Sequence, residues 1–157
     1  MITLHLTTFI AAPVEKVFDL SRSVRMHKLS MTDHGEEIIA GITTGLMEKG
    51  DTVTWKARHL LKKRVLKMKI TEMDKYFSFT DEQLEGDFAL LKHEHHFKPC
   101  ENGTIMIDIF SFSPPFGMIG KLFNQVYLSR YMKKLLEKRN SDIKKYAEGN
   151  QWKQLLN

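Results

Sequence analysis

The strongest constraint on the fold of this chain is a long stretch, residues 36–114, in which polar and apolar side chains alternate. Alternation at a period of two is typical of strands that turn one face toward a core. Turn signals interrupt it at Gly50-Asp51, Met73-Asp74-Lys75, Glu85-Gly86-Asp87 and Glu101-Asn102-Gly103, and more weakly at Leu61-Lys62-Lys63. Segments of roughly 8 to 12 residues between turns are typical of an antiparallel meander. The pattern therefore predicts six strands over residues 36–113.

Different patterns flank this stretch. Residues 2–11 are alternating and β-branched, which predicts a first strand. Apolar side chains at helical spacing predict two short helices over residues 14–29. After Pro114-Pro115, a second helical pattern predicts one long helix over residues 116–148 and a short tail. No repeat or linker interrupts the sequence, so we expect one domain over residues 1–157.

Charge and cysteine content narrow the classes of function. The net charge is +5, but the excess of Lys and Arg lies after residue 115. There, Arg130, Lys133, Lys134, Lys138, Arg139, Lys144 and Lys145 punctuate an amphipathic helix, which predicts a solvated face and no nucleic-acid binding. Cys100 is the only cysteine, and no signal peptide or segment of about 20 apolar residues is evident. We expect a cytoplasmic protein without a membrane span.

The order of strand, two short helices, six-strand meander and long helix resembles the START-like superfamily, also called SRPBCC, which includes polyketide cyclases and plant ligand carriers. The resemblance covers nearly the whole chain and is carried by residues 11–18, 53–59, 88–97 and 113–117. With its Trp-x-x-x-His and His-x-His strands, the chain looks like a bacterial branch of unassigned activity. The resemblance implies an α+β helix-grip fold: a curved seven-stranded antiparallel sheet around a long C-terminal helix, with two short helices after the first strand and a cavity between sheet and helix.

Strand alternation indicates which side chains face such a cavity. The predicted inward sets are Val53, Trp55, Ala57 and His59; Leu66, Met68 and Ile70; Phe77, Phe79 and Asp81; and Ala89, Leu91, His93, His95 and Phe97. Both faces of the last strand are apolar. We favour Asp108 and Phe110 inward, because aromatic rings suit a cavity wall and Asp108 would meet histidine partners there. Apolar side chains on the opposite face indicate that it is also covered, and a homodimer is one explanation.

The predicted ligand-binding residues combine apolar walls with a polar belt. The walls are Trp55, Met68, Phe79, Leu91, Phe97 and Phe110, and the belt is His59, Asp81, His93, His95 and Asp108. Small-molecule pockets have this composition. Three interpretations of the belt stay open. Its members satisfy one another's hydrogen bonds, or they orient a ligand, or His93 and His95 bind a metal with a third ligand from His59, Asp81 or Asp108. Two histidines are a weak metal signature, so we predict no metal and no cofactor.

Three functions follow from this sequence. The leading hypothesis is binding or transport of a small hydrophobic or aromatic molecule. The alternative is a cyclase-like or lyase-like enzyme acting on an aromatic or polyketide-type substrate. Its proton-transfer group would be His59, His93 or His95, oriented by Asp81 or Asp108. The third is an interaction module whose basic helix face meets an acidic protein or a membrane surface.

Overall fold

The computed structural model of the protein describes residues 1–59, 62–114 and 122–156. Within these residues the strands are β1 (Ile2–Ile10), β2 (Glu37–Gly41), β3 (Thr52–His59), β4 (Lys62–Asp74), β5 (Ser78–Glu85), β6 (Leu90–Cys100) and β7 (Gly103–Ser113). The helices are α1 (Val14–Ser21), α2 (Val24–Ser30), α3 (Leu122–Glu148) and α4 (Lys153–Leu156), with a 3-10 turn at Thr32–His34. The predicted order of elements is confirmed. The predicted start of the long helix at residue 116 and Leu61 of the weak turn signal lie outside the described residues.

The described strands form one antiparallel sheet in the order β1-β7-β6-β5-β4-β3-β2. From β2 to β7 each strand pairs with the next along the chain, and β1 pairs with β7. Register shifts in the β2–β3 and β4–β5 pairs are irregularities of the kind that increase twist and bend a strand. Helix α3 contacts β1, α1 and α2. This arrangement confirms the predicted helix-grip fold. None of the described helices has the length of apolar sequence that a bilayer crossing needs.

An aromatic cluster fixes α1 against the sheet. The ring of Phe18 is fully buried and meets Tyr76, Phe79 and Phe97 edge-on, with centroids 5.2 to 5.6 Å apart. Such edge-to-face pairs are stabilised beyond the area they bury. The cluster therefore holds the first helix at one end of the concave face, where it forms part of the wall of the interior.

Two strand predictions are wrong at their edges. The inward phase assigned to Phe77 fails because Tyr76 has a φ of 71° and turns the chain before β5 begins. Tyr76 packs on the core, while Phe77 is 60% exposed. Ala89 is exposed because β6 begins only at Leu90. In both places a turn breaks the alternation that the sequence pattern assumes to be continuous.

The first strand of the meander also ends earlier than predicted. Strand β2 ends at Gly41, which has a φ of 84°. A side chain at this position would lie 2.2 Å from the carbonyl oxygen of Thr52. Residues 42–51 then leave the β2 strand and return beside α2, where Leu46 bridges to Ser23. This segment supplies one edge of the interior rather than a longer strand.

The outer face of β7 does not support the predicted homodimer. Ile105, Ile107 and Ile109 are each partly buried there. Their strand lies between β1 and β6, so that Ile105 stands beside both Phe9 and Lys98. Neighbouring side chains within the sheet account for this partial burial, and a second subunit is not required to explain it.

Candidate functional site

A cavity of about 160 Å³ lies between the concave face of the sheet and the first three helices. From the strands its lining is Val53, Trp55, Leu66, Met68, Ile70, Phe79, Asp81, Leu91, His93, His95 and Phe110; from the helices and connecting segments it is Ser21, Arg22, Ser23, Val24, His27, Met31, Glu36, Met47, Met132, Leu135, Leu136 and Arg139. Apolar side chains form most of this wall. The polar side chains from the sheet are grouped on β5 and β6.

The structure brings most of the predicted ligand-binding residues together. Trp55, Met68, Phe79, Asp81, Leu91, His93, His95 and Phe110 line the cavity. Of the other described candidates, Phe97 belongs to the aromatic cluster around Phe18, and Asp108 lies behind the histidines with no exposed surface. Asp108 and Phe110 are buried, so the inward phase favoured for β7 is confirmed. The side chain of His59, at the end of β3, lies outside the described part of the structure.

Cross-strand register explains how the polar belt forms. His93 lies opposite Asp81 of β5, and His95 lies opposite Asp108 of β7. The hydrogen bonds run diagonally: Nε2 of His93 lies 2.9 Å from Oδ1 of Asp108, and Nε2 of His95 lies 2.8 Å from Oδ2 of Asp81. The two imidazole centroids are 3.7 Å apart. Because His93 and His95 are two residues apart on β6, their side chains lie on the same face. Both imidazole rings thus lie between the carboxylates of Asp81 and Asp108.

Asp108 is the buried centre of this group. Asn140 of α3 donates a hydrogen bond from Nδ2 to Oδ2 over 2.6 Å, and Nη1 of Arg139 lies 3.6 Å from Oδ1. Nδ1 of His95 is 3.0 Å from Oδ1, but it is not aligned for a hydrogen bond and has no such partner among the described residues. Burial opposes ionisation of Asp108, yet the contacts with His93 and His95 hold its pKa well below the usual range. The carboxylate is therefore ionised at neutral pH.

The protonation state of His93 follows from its surroundings. Burial, reinforced by the neighbouring His95, lowers the pKa of His93 to about 4, although Asp108 acts in the opposite direction. The ring is therefore neutral near pH 7. A neutral imidazole carries one N–H, and here Nε2–H donates a hydrogen bond to the ionised Asp108, which leaves the lone pair on Nδ1.

Asp81 forms the cavity side of the belt. Its side chain keeps about a fifth of its surface exposed. Burial opposes its ionisation, but the hydrogen bond from His95 lowers its pKa below the usual value. Asp81, His93 and His95 each offer a ligand atom, and these three atoms lie within 4.8 Å of one another. The group can therefore accept a proton, orient a polar substituent or hold a divalent ion.

The sequence missed the contribution of α3 to the site. Arg139, predicted on the solvated face, is 6% exposed and donates a hydrogen bond from Nη2 to the carbonyl of Ser21 over 3.1 Å. The missed signal is periodicity: Arg139 and Asn140 each follow a buried leucine, Leu135 and Leu136, by four residues. Helical spacing therefore places them on the buried face. Because both residues are polar, they were not assigned to the buried face. The way α3 aligns with β7 cannot be predicted from the helical spacing of α3 or from the alternation of β7.

A second group of missed residues lies at the α2 side of the cavity. His27 stacks on Trp55 with ring centroids 4.3 Å apart, and its Nε2 lies 3.0 Å from Oε2 of Glu36. The side chain of His27 is one-third exposed, so this wall reaches the solvent. Arg22 is buried nearby but bonded to Asp19, Glu48 and the carbonyl of Met47. Its charge is therefore already compensated.

The basic residues that remain on the surface of α3 are partly neutralised. Salt bridges at four-residue spacing join Lys133 to Glu137, Lys138 to Asp142 and Lys144 to Glu148. Exposed pairs of this kind stabilise little, but they reduce the positive field of the helix. The surface of α3 therefore carries both positive and negative charges. A segment that binds an anionic surface usually has a dense cluster of positive charges instead.

Comparisons with known proteins identify the fold. No protein-family model matches the chain, and no curated protein matches it. Among solved structures, the ZhuI aromatase/cyclase from Streptomyces sp. R1128 superimposes with a TM-score of 0.74 at 14% identity, covering 94% of this chain and 93% of that chain. A START superfamily protein from Mycobacterium smegmatis gives 0.70 at 10% identity, covering 93% and 97%. A protein from Thermus thermophilus, TTHA0849, gives 0.70 at 18% identity, covering 90% and 97%. The protein therefore has the START-like helix-grip fold.

Proposed function

We propose that the protein binds a small apolar molecule, about the size of a single aromatic ring with one polar substituent, in the cavity between the sheet and α3. The observation that carries this proposal is the placement of Asp81, His93 and His95 at one position in a wall that is otherwise mostly apolar. Apolar walls give affinity, and a few polar groups fix orientation.

The size of the cavity sets the size of the ligand. Drug-sized ligands occupy pockets of roughly 300 to 1,000 Å³, and this cavity of about 160 Å³ is smaller. An apolar cavity of about 150 Å³ in another protein holds benzene. Trp55, Phe79 and Phe110 would contact the faces and edge of such a ring, and the polar belt would receive its substituent. We expect dissociation constants in roughly the micromolar to millimolar range, because so small a ligand has few atoms to bury.

The fold comparisons support a small-molecule site without naming the ligand. The same fold carries an aromatase/cyclase and a START superfamily protein. Fold does not fix function, so the proposal rests on the composition of this cavity. The interaction-module alternative has less support, because lysines on α3 are paired with acidic residues of the same helix.

A cyclase-like or lyase-like activity is the second candidate, and the His93–Asp108 pair favours it. His93 is neutral near pH 7, lines the cavity and keeps a lone pair on Nδ1. A substrate proton could move to that nitrogen, and the hydrogen-bonded Asp108 would stabilise the imidazolium. The pKa of about 4 makes the ring a weak base, which is why binding without chemistry is the first proposal. With a turned-over substrate, His93→Gln would abolish the reaction and weaken binding only in part.

Calorimetric titration with toluene and p-cresol tests the proposal. Leu91→Trp fills the cavity from β6, whereas the matched control Leu90→Trp adds the same ring to the exposed face of the same strand. We expect Leu91→Trp to abolish binding of both probes and Leu90→Trp to leave it unchanged. Urea unfolding of both variants checks that they fold, since overpacking costs about 1 to 3 kcal/mol.

The polar substituent gives the second arm of the test. A hydrogen bond to a charged group contributes about 1.5 to 3 kcal/mol, so p-cresol should bind roughly 10- to 100-fold more tightly than toluene. Asp81→Asn should reduce this preference and leave toluene affinity unchanged. Unchanged binding in Leu91→Trp would place the probes outside the cavity and overturn the proposal.

A further inference from the structure

We propose that Asp81, His93 and His95 form a binding site for one divalent transition-metal ion at the polar end of the cavity. The three residues come from β5 and β6, and His93 and His95 lie two positions apart on one strand, with their side chains on the same face. The same three residues would receive the polar substituent of the proposed ligand, but metal binding does not require that ligand. It needs a metal ion alone as a partner.

The distances suit a single ion. The three ligand atoms lie within 4.8 Å of one another. Nitrogen and oxygen ligands bind Zn²⁺ in a tetrahedral arrangement at about 2.0 to 2.2 Å, so two ligands of one ion are about 3.3 to 3.6 Å apart. Nε2 of His95 and Oδ2 of Asp81 are 2.8 Å apart and would separate slightly, whereas atoms near the 4.8 Å limit would approach by about 1 Å. Side-chain movements of this size would complete the site.

The residues behind the ligands orient them as in established metal sites. Asp108 accepts a hydrogen bond from Nε2–H of His93, which leaves Nδ1 as the nitrogen able to bind a metal. Asp108 is itself held by Asn140 over 2.6 Å. A carboxylate behind a metal-binding histidine fixes its tautomer and raises its basicity. Asp108, held by Asn140, would serve as this second layer of residues around the proposed metal ligands.

His95 supplies an independent observation. Its buried Nδ1 has no hydrogen-bond partner among the described residues, although Oδ1 of Asp108 is 3.0 Å away. Nε2 of His95 donates a hydrogen bond to Asp81, so coordination of a metal through Nε2 would replace that bond and place the proton of the ring on Nδ1. Nδ1 would then be a donor that faces the carboxylate of Asp108. The proposed ion would thus give a role to a buried polar atom that has no hydrogen-bond partner among the described residues.

The charges around the belt favour a cation. Two aspartates, Asp81 and Asp108, lie within 3.0 Å of the imidazole nitrogens of His93 and His95. Arg139 lies 3.6 Å from Asp108, and the buried Arg22 is paired with Asp19 and Glu48 instead. One guanidinium therefore faces two carboxylates in this part of the described structure. A divalent ion between Asp81 and the histidines would supply the missing positive charge.

The chemistry of the ligands selects the metal. Two imidazoles and one carboxylate suit Zn²⁺, Fe²⁺, Co²⁺ or Ni²⁺, whereas Mg²⁺ and Ca²⁺ prefer oxygen ligands. Three protein ligands leave further coordination positions unfilled. These would face the cavity, where a hydroxyl or carboxylate of a bound molecule could reach the ion.

Titration of chelator-stripped, untagged protein with Co²⁺, followed by its visible absorption, tests the site. We expect one equivalent to bind, Zn²⁺ to displace it and Mg²⁺ not to compete. His93→Ala, His95→Ala and Asp81→Asn should each weaken binding by more than about 100-fold, and Asp108→Asn by about 10- to 100-fold, as outer-shell changes do. His96→Ala is the matched control: His96 follows His95 on β6 but has a 40% exposed side chain on the other face. It should leave binding unchanged.

Controls keep this result separate from the apolar-ligand test. Asp81→Asn preserves the shape of the side chain, so it answers the question even if an alanine variant fails to fold. Loss of Co²⁺ binding in His96→Ala, or wild-type affinity in folded Asp81→Asn and His95→Ala, would overturn the proposal. Toluene titrated into stripped protein reports on the cavity alone. Failure to bind toluene and failure to bind Co²⁺ are thus separate results.

Discussion

Replacing Asn140 by alanine should destabilise the protein strongly, although the residue lies on a helix and carries no charge. Asn140 is 2% exposed and donates a 2.6 Å hydrogen bond to the ionised Asp108. A hydrogen bond to a charged group contributes about 1.5 to 3 kcal/mol, and the truncated side chain also leaves a small void. We therefore expect Asn140→Ala to lower the free energy of unfolding by about 2 to 4 kcal/mol.

Urea unfolding followed by circular dichroism measures this loss, and a double-mutant cycle assigns it. In the Asp108→Asn background, Asn140→Ala should cost at least about 1 kcal/mol less, because the charged acceptor has gone. Ser141→Ala, on the exposed side of the same helix turn, should cost less than about 0.5 kcal/mol. A loss below about 0.5 kcal/mol for Asn140→Ala, or an equal loss in both backgrounds, would refute the assigned link between α3 and Asp108.

Three further predictions concern stability. Phe18→Ala should cost about 3 to 5 kcal/mol in urea unfolding because it empties the centre of the aromatic cluster, whereas exposed Phe77→Ala should cost less than about 0.5 kcal/mol. Gly35→Ala should lower the free energy of unfolding by about 1 to 2 kcal/mol, and Gly41→Ala should lower it by more. Both glycines have positive φ, but of the two only Gly41 has backbone atoms close to the added carbon. Equal losses would contradict this. Between pH 6.5 and 4, metal-free protein should lose up to about 3 kcal/mol of stability, because the unfolded chain protonates His93 while the fold keeps it neutral down to a pKa of about 4; a His93→Gln variant should lose less over this range.

The sheet was predictable from sequence because alternation reports directly on which face of a strand is buried. Trp55, Leu91, His93 and His95 follow that rule and are buried on the concave face. The rule fails at Phe77, where Tyr76 adopts positive φ and breaks the period before β5 begins. Local turn conformations of this kind leave little trace in hydrophobicity.

The polar belt was predictable as a group, but its internal order was not. Alternation places His93, His95, Asp81 and Asp108 on one face. It does not specify the diagonal hydrogen bonds, which depend on how β5 and β7 align with β6. For the same reason Asp108 was predicted at the cavity surface, whereas it lies behind the histidines. Alternation predicts which face of a strand a side chain lies on. It does not predict whether that side chain reaches the cavity or is covered by its neighbours, because this depends on tertiary packing.

The helix residues of the site were not predicted, because charged residues are usually assigned to the solvent-exposed face of a helix. Arg139 is a basic residue in a basic segment, and its burial depends on Asp108 and the carbonyl of Ser21, which lie far from it in sequence. His27 and Glu36 meet because residues on either side of the 3-10 turn fold back toward Trp55. The positions of these helix and loop residues therefore depend on polar contacts between residues far apart in the sequence, which sequence patterns do not predict.

The most direct test of the binding cavity is methionine-methyl NMR during titration with toluene. Met31, Met47, Met68 and Met132 line the cavity, whereas Met26 and Met106 are buried elsewhere in the core. Binding in the cavity predicts saturable shifts of the first four methyl signals, with Met26 and Met106 nearly unchanged. Unchanged signals from the four cavity methionines at saturating toluene, or equal shifts at all six, would contradict the account.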